Sequence, residues 1–277
     1  MYCKKLIPII AAVIALPTAL FAQSSYEGFD FTGPAVAGNG SGTGWTGDWA
    51  VSSAAGSSNF QIGTDSLNAG SLLTSGNHAV SSGNNTHILS RQMASAAPSS
   101  GEFWASIVVQ TNGLGGGLTF SNNANDNLNL NATDFNNRAR FGFGINGGNF
   151  VYTLDGRETA PVFGSVAGAT GAATLLVAKF DVSNGLFSMW ANPTVGGSAP
   201  SGGILVADDI SFTRSGATFA GDVTHAALFA NWNNIQLDEV RVGTSFSEVT
   251  PIPEPGSYAA ILGLLAIGFV TLRRRSR

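Results

Sequence analysis

Carboxylates and histidines are the side chains that most often do chemistry, and in this 277-residue chain they are sparse. Glycan hydrolysis on a strand needs two carboxylates aimed into one cleft, one as nucleophile and one as acid. Glu27 and Asp30 are three residues apart, and Asp238 and Glu239 are adjacent. A regular strand would send the members of each pair to opposite faces of a sheet. Asp238-Glu239 therefore reads as a strand-end salt bridge or hydrogen-bonding pair, with Arg241 or a nearby turn as its partner. His78, His87 and His225 lack the close spacing of a zinc site and read as surface or core histidines. Gly243-Thr244-Ser245-Phe246-Ser247 approaches a nucleophile elbow but lacks the closing glycine, and His225 precedes it without a triad order. No catalytic residue is expected.

Binding chemistry offers three further candidates. Residues 113–117 are glycine-rich, but no helix follows whose N-terminus could hold a phosphate, so they read as a hairpin turn. Residues 122–127 are rich in oxygen donors that suit calcium, yet they lack the spacing of an EF-hand loop. No other cofactor and no metal site are expected. Indole faces can stack on sugar rings while their N–H stays hydrogen-bonded. Trp45 and Trp49 lie in a glycine-rich loop, as glycan contacts or as core side chains. Trp104 and Trp190 sit inside strand patterns and read as packed. Trp232, flanked by Asn231, Asn233 and Asn234, reads as the exposed sugar platform.

The elements that must position these residues are strands. Between residues 26 and 249 no helical periodicity is sustained, and short runs rich in Val, Ile, Phe and Thr alternate with Gly and Asn turns. One hairpin joins 140–145 to 149–154 across Asn146-Gly147-Gly148, where positive φ is cheap. A second joins 174–182 to 186–191 across Ser183-Asn184-Gly185. Further strands are expected at 103–110, 205–213, 225–230 and 235–242, with 39–47 as a loop. This spacing predicts an all-β fold, a two-sheet antiparallel sandwich.

Charge and the two ends bound the setting. Between residues 23 and 272 there are seven basic and seventeen acidic residues, a net charge of −10. Such a surface repels nucleic acid, which is excluded as a partner. Lys4 and Lys5 precede an apolar run at 6–21, and Ala22 leads into polar Gln23-Ser24-Ser25. This is the order of a secretory signal helix cleaved at Ala22 by signal peptidase. Cys3, the single cysteine, would leave with it. Pro253, Glu254 and Pro255 lie in a proline linker at 250–257, an apolar run follows at 258–272, and Arg273, Arg274 and Arg275 stand in the basic end at 273–277. Alternate prolines keep the linker extended. Fifteen apolar residues make a transmembrane helix of about 22 Å, short of the ~30 Å hydrocarbon core. Basic residues at both ends place the acidic body outside the cytoplasm.

The tail resembles the PEP-CTERM sorting signal of Gram-negative bacteria: Pro253-Glu254-Pro255, a short transmembrane stretch and a terminal arginine cluster. That resemblance implies exosortase as a partner, cleavage near the motif, transient inner-membrane anchoring and transfer to the cell envelope or extracellular matrix. Tyr26-Glu27-Gly28-Phe29-Asp30, Gly42-Thr43-Gly44-Trp45 and Trp49 are similar to the opening of laminin-G-like, concanavalin-A-like domains. Leu176-Val177-Ala178-Lys179-Phe180-Asp181, Met189-Trp190-Ala191-Asn192-Pro193 and Leu237-Asp238-Glu239-Val240-Arg241-Val242-Gly243-Thr244 resemble their late strands in order. This likeness implies a jelly roll over 23–249 whose first and last strands lie together. It also implies glycan or exopolysaccharide as a partner. The domain order is thus signal 1–22, sandwich 23–249 and sorting tail 250–277. The function expected is a structural or adhesive matrix or biofilm protein, with a lectin-like binding module as the alternative and a polysaccharide-active enzyme as a third reading.

Overall fold

The computed structural model describes residues 25–52, 59–98, 100–112, 114–124, 141–154, 171–181, 183, 186–201, 205–207 and 223–252. The signal segment, the motif Pro253-Glu254-Pro255, the apolar run at 258–272 and the arginine cluster lie outside them. Among the described residues no helix is long and apolar enough to cross a membrane.

Among the described residues fourteen strands form two antiparallel sheets. They are β1 (Ser25–Glu27), β2 (Trp45–Val51), β3 (Phe60–Gly63), β4 (His78–Ser81), β5 (Thr86–Met93), β6 (Glu102–Gln110) and β7 (Gly116–Ser121), followed by β8 (Phe141–Asn146), β9 (Asn149–Leu154), β10 (Thr174–Asp181), β11 (Leu186–Ala191), β12 (Leu205–Ala207), β13 (His225–Asn231) and β14 (Gln236–Gly243). A single turn of helix, α1 (Phe246–Val249), follows. The first sheet runs β12-β11-β10-β6-β14-β4-β3, with β1 also on β14, and the second runs β2-β5-β13-β7-β8-β9. First and last strands pair as expected, Ser25 opposite Val242 and Glu27 opposite Val240.

Alternation explains the layers. Along β6, Phe103, Ala105, Ile107 and Val109 enter the core between the sheets. Trp104 and Val108 point outward, under a second apolar layer that includes Leu67, Leu72, Trp190, Phe246 and Val249. The inner core is aromatic: Phe103 meets Phe120 edge-on at 5.1 Å, and Phe120 stacks on Phe141 at 5.0 Å. Burying each such ring stabilises the fold by roughly 1.5–3 kcal/mol.

The two expected hairpins form, β8 with β9 and β10 with β11. Two expectations need correction. The glycine run after β6 does not close a hairpin, because β6 lies in the first sheet and β7 in the second. Gly116 and Gly117 are strand residues, and a Cβ on Gly117 would sit 2.2 Å from the Phe143 carbonyl oxygen. They are glycines because β7 and β8 approach closely. The second correction concerns Trp45 and Trp49, which lie on β2 and not in a loop. Of the expected strand at 205–213, 205–207 is described.

Candidate functional site

Glu27 is the hub of the first polar cluster. It is fully buried, and its carboxylate accepts from Phe29 N at 2.8 Å, Ser41 N at 3.0 Å, Trp49 Nε1 at 3.1 Å and the Ser41 hydroxyl. It also pairs with the Arg91 guanidinium. Arg91 donates to the carbonyls of Gly47 at 2.8 Å and Ser41 at 2.9 Å, and it lies over the rings of Trp45 and Trp49. Desolvation lowers the Arg91 pKa, against the pull of Glu27. Every strong acceptor and donor here faces the protein. Glu27 therefore fastens the first strand and has no lone pair aimed at solvent for catalysis.

The second cluster is built on a bulge in β14. Asp238 stands opposite Val108, but Arg241 stands opposite Ser106, so one extra residue is inserted. Glu239 takes it up with φ +55°. Leu237, Val240 and Val242 all reach the core, and Asp238, Glu239 and Arg241 face the other side. This overturns the expected opposite orientation of the two carboxylates: Ser66 Oγ lies within 2.6 Å of Asp238 Oδ2 and 3.2 Å of Glu239 Oε1. Asp238 also accepts from Leu67 N at 2.7 Å, and Glu239 from Ser75 N at 2.6 Å. Arg241 pairs with Glu239, donates to the Leu73 carbonyl and lies 4.9 Å from the centre of the Tyr26 ring. Its role as partner was legible in the sequence.

Burial, reinforced by Glu239, pushes the Asp238 pKa up to about 8. Burial also raises Glu239, with Arg241 pulling the other way. Tyr26 is pushed up to about 12 by burial and then by Glu239. The two carboxyls have perturbed acidities without access: Asp238 and Glu239 are fully buried beneath the loop that joins β3 to β4. The pair clamps that loop and does not form a cleft.

The histidines are separate from one another in role. Nδ1 of His78 meets the Asp65 carbonyl at 2.7 Å. Nδ1 of His87 accepts from Asn59 N at 3.1 Å, leaving Nε2 to donate to Gly83 O at 3.2 Å. His225 lies beside Thr224 Oγ1 at 2.9 Å, and burial lowers its pKa. Among the described residues no three metal-ligating side chains converge. Of the oxygen-rich run, Asn122 and Asn123 are described and their carbonyls accept from Thr224 and Ser121. Asn125, Asp126 and Asn127 lie outside the described residues. A cavity of about 200 Å³ between Met93, Ser95–Pro98, Phe103 and Val242–Thr244 has no acid, base or cation in its wall.

The tryptophans divide sharply. Trp49 is 1% exposed and stacks on Phe29 at 6.1 Å. Trp45 packs against the core, and its Nε1 donates to Tyr26 O at 2.8 Å. Trp49 is thus a core side chain and Trp45 is half-buried against the core, and both rings, on the bulged β2, lie beside Arg91. Trp104 and Trp190 stack at 5.5 Å, as their strand pattern requires. Trp232 is 43% exposed, at the turn from β13 to β14. Its φ of +88° is rare for a bulky side chain. The turn is pinned at Trp232 N to Asn85 O, 3.0 Å, and by the Ser81 hydroxyl donating to Trp232 O at 2.7 Å. Of the described tryptophans, Trp232 is the most exposed.

No protein family model matches the chain, and no curated protein matches its sequence. Among solved structures, it is similar to the Emp46p carbohydrate recognition domain in its metal-free form, with a TM-score of 0.41 and 9% identity over 63% of this chain and 85% of that one. It is also similar to the VIP36 exoplasmic/lumenal domain in its Ca2+/Man-bound form, with a TM-score of 0.40 and 9% identity over 64% and 85%. The botulinum neurotoxin serotype D binding domain gives 0.45 and 10% over 81% and 48%. At these values the likenesses do not bear on ligand or activity.

Proposed function

We propose that this chain is an exported protein of the Gram-negative envelope or extracellular matrix, with a structural or adhesive role in an exopolysaccharide or biofilm layer. Signal peptidase removes the leading apolar segment near Ala22. Exosortase recognises Pro253-Glu254-Pro255 while the apolar run and the arginines hold the chain in the inner membrane.

The observation that supports this reading is how the residues just before the proline motif are held. Thr250 is fully buried, its hydroxyl donates to Phe246 O at 2.8 Å, and its carbonyl accepts from Gly196 N at 3.1 Å. The Pro251 carbonyl accepts from Leu73 N at 2.9 Å. Ile252 is then 41% exposed. The chain is thus hydrogen-bonded to the sandwich at Thr250 and Pro251, just before the proline motif in sequence. An extended, unburied segment is what a protease binds as a strand-like substrate. The two acid clusters being buried and engaged with the protein's own loops, the sandwich is read as a presented module and not as an enzyme.

Fractionation of cells expressing the chain without residues 253–277 tests the proposal. The truncated protein is expected in the soluble periplasmic or culture fraction, and the intact chain in the envelope or matrix. Equal distribution of the two would refute sorting by the tail.

A further inference from the structure

We infer that the turn between β13 and β14 is a binding site for an uncharged polysaccharide, with the Trp232 indole as its stacking face. It supplies the adhesive role proposed above with a ligand class.

Three observations carry the inference. First, the turn holds an aromatic ring where the backbone favours glycine. Trp232 and Asn234 have φ of +88° and +58°, and asparagine tolerates that region far better than tryptophan. The ring is nonetheless held out, 43% exposed, because the Ser81 hydroxyl bridges Trp232 O and Ile235 N while Asn85 O takes the Trp232 amide. A strained, pinned and exposed aromatic points to a role outside folding. Secondly, the neighbouring surface offers amides. Asn84 and Asn234 are exposed and Asn233 is half-buried, and among the described residues their side chains make no hydrogen bond. An amide both donates and accepts, which matches a hydroxyl, and the indole face matches the C–H face of a pyranose ring.

Thirdly, charge selects against acidic sugars. The basic side chains among the described residues are Arg91, Lys179 and Arg241, and each is paired with a carboxylate. The segment between the two ends has a net charge of −10. A uronate or sulfated chain would meet net repulsion with no unpaired cation among the described residues to offset it, whereas a neutral glycan needs none.

The test is calorimetric titration of the full chain in detergent micelles with dextran, mannan, galactan and xylan, and with alginate and polygalacturonate. Binding of at least one neutral polymer is expected, together with none of the two acidic ones. Trp232→Gly removes the ring and relieves the positive φ, so it is expected to bind at least about tenfold more weakly, a loss of about 1.4 kcal/mol, with a thermal midpoint no lower than that of the parent. Trp232→Tyr is expected to keep most of the affinity. Absence of binding to every neutral polymer, binding confined to the acidic ones, or full binding by the folded Trp232→Gly chain would each overturn the inference. Since the titration uses purified chain, a failure of tail processing in cells leaves its result untouched.

Discussion

Asp238 loses its water on folding, and with Glu239 beside it the carboxyl pKa rises from 3.8 to about 8. In that range the folded chain keeps a proton that the unfolded chain releases, so raising the pH favours unfolding. The stability contributed by this group is fully present below about pH 4 and is lost as pH rises to about 8, with a slope of at most about 1.4 kcal/mol per pH unit. Asp238→Asn keeps the size without the titration. Thermal midpoints measured from pH 4 to pH 9 are therefore expected to fall in the parent and to flatten in Asp238→Asn. Equal slopes in the two proteins would show that another group controls the dependence. The same residue scale explains what the sequence concealed. Asp238 and Glu239 share the Ser66 hydroxyl because of a positive φ at a glutamate, a conformation that no residue type at that position announces. Trp232, by contrast, was legible as exposed because asparagines flank it on both sides.

At the scale of elements, β1 is three residues long and is held less by its ladder on β14 than by the Glu27 carboxylate. Removing one partner of a buried ion pair leaves the other charge uncompensated, which costs about 3–5 kcal/mol. Glu27→Gln is expected to lower stability by an amount of that order in urea unfolding. A loss below about 1 kcal/mol would mean that β1 is fastened mainly by its backbone. Hairpins of regular alternation, β8 with β9 and β10 with β11, could be read directly because their strands and turns are local. β2 could not, since Gly47 at φ +70° and the bulge against β5 give it the composition of a loop. Arg91 is 64 residues from Glu27, and its one sequence signal is a lone basic residue in the alternating strand β5. The crossing from β6 to β7 was hidden for the same reason: a glycine run looks alike whether it turns a hairpin or lets two strands approach.

Across the whole molecule, one line of contacts connects the acid cluster to the segment just before the proline motif. Arg241 holds Leu73 by its carbonyl, and Leu73 holds Pro251 by its amide. The segment between β3 and β4 is thereby fixed on one side by the bulge and on the other by the last residues before the proline motif. A sandwich whose two acid clusters are buried in its own contacts, with an exposed tryptophan on one turn, fits a module made to be displayed. Intact mass of the protein recovered from the envelope and the medium, beside a Glu254→Ala strain, tests this display most directly. The native chain is predicted to lack the residues before Gln23 and those after a break near Pro255, and the Glu254→Ala chain to keep its tail through Arg277. A native mass that still includes Arg277, unchanged by the substitution, would contradict sorting and leave a simple tail anchor in its place.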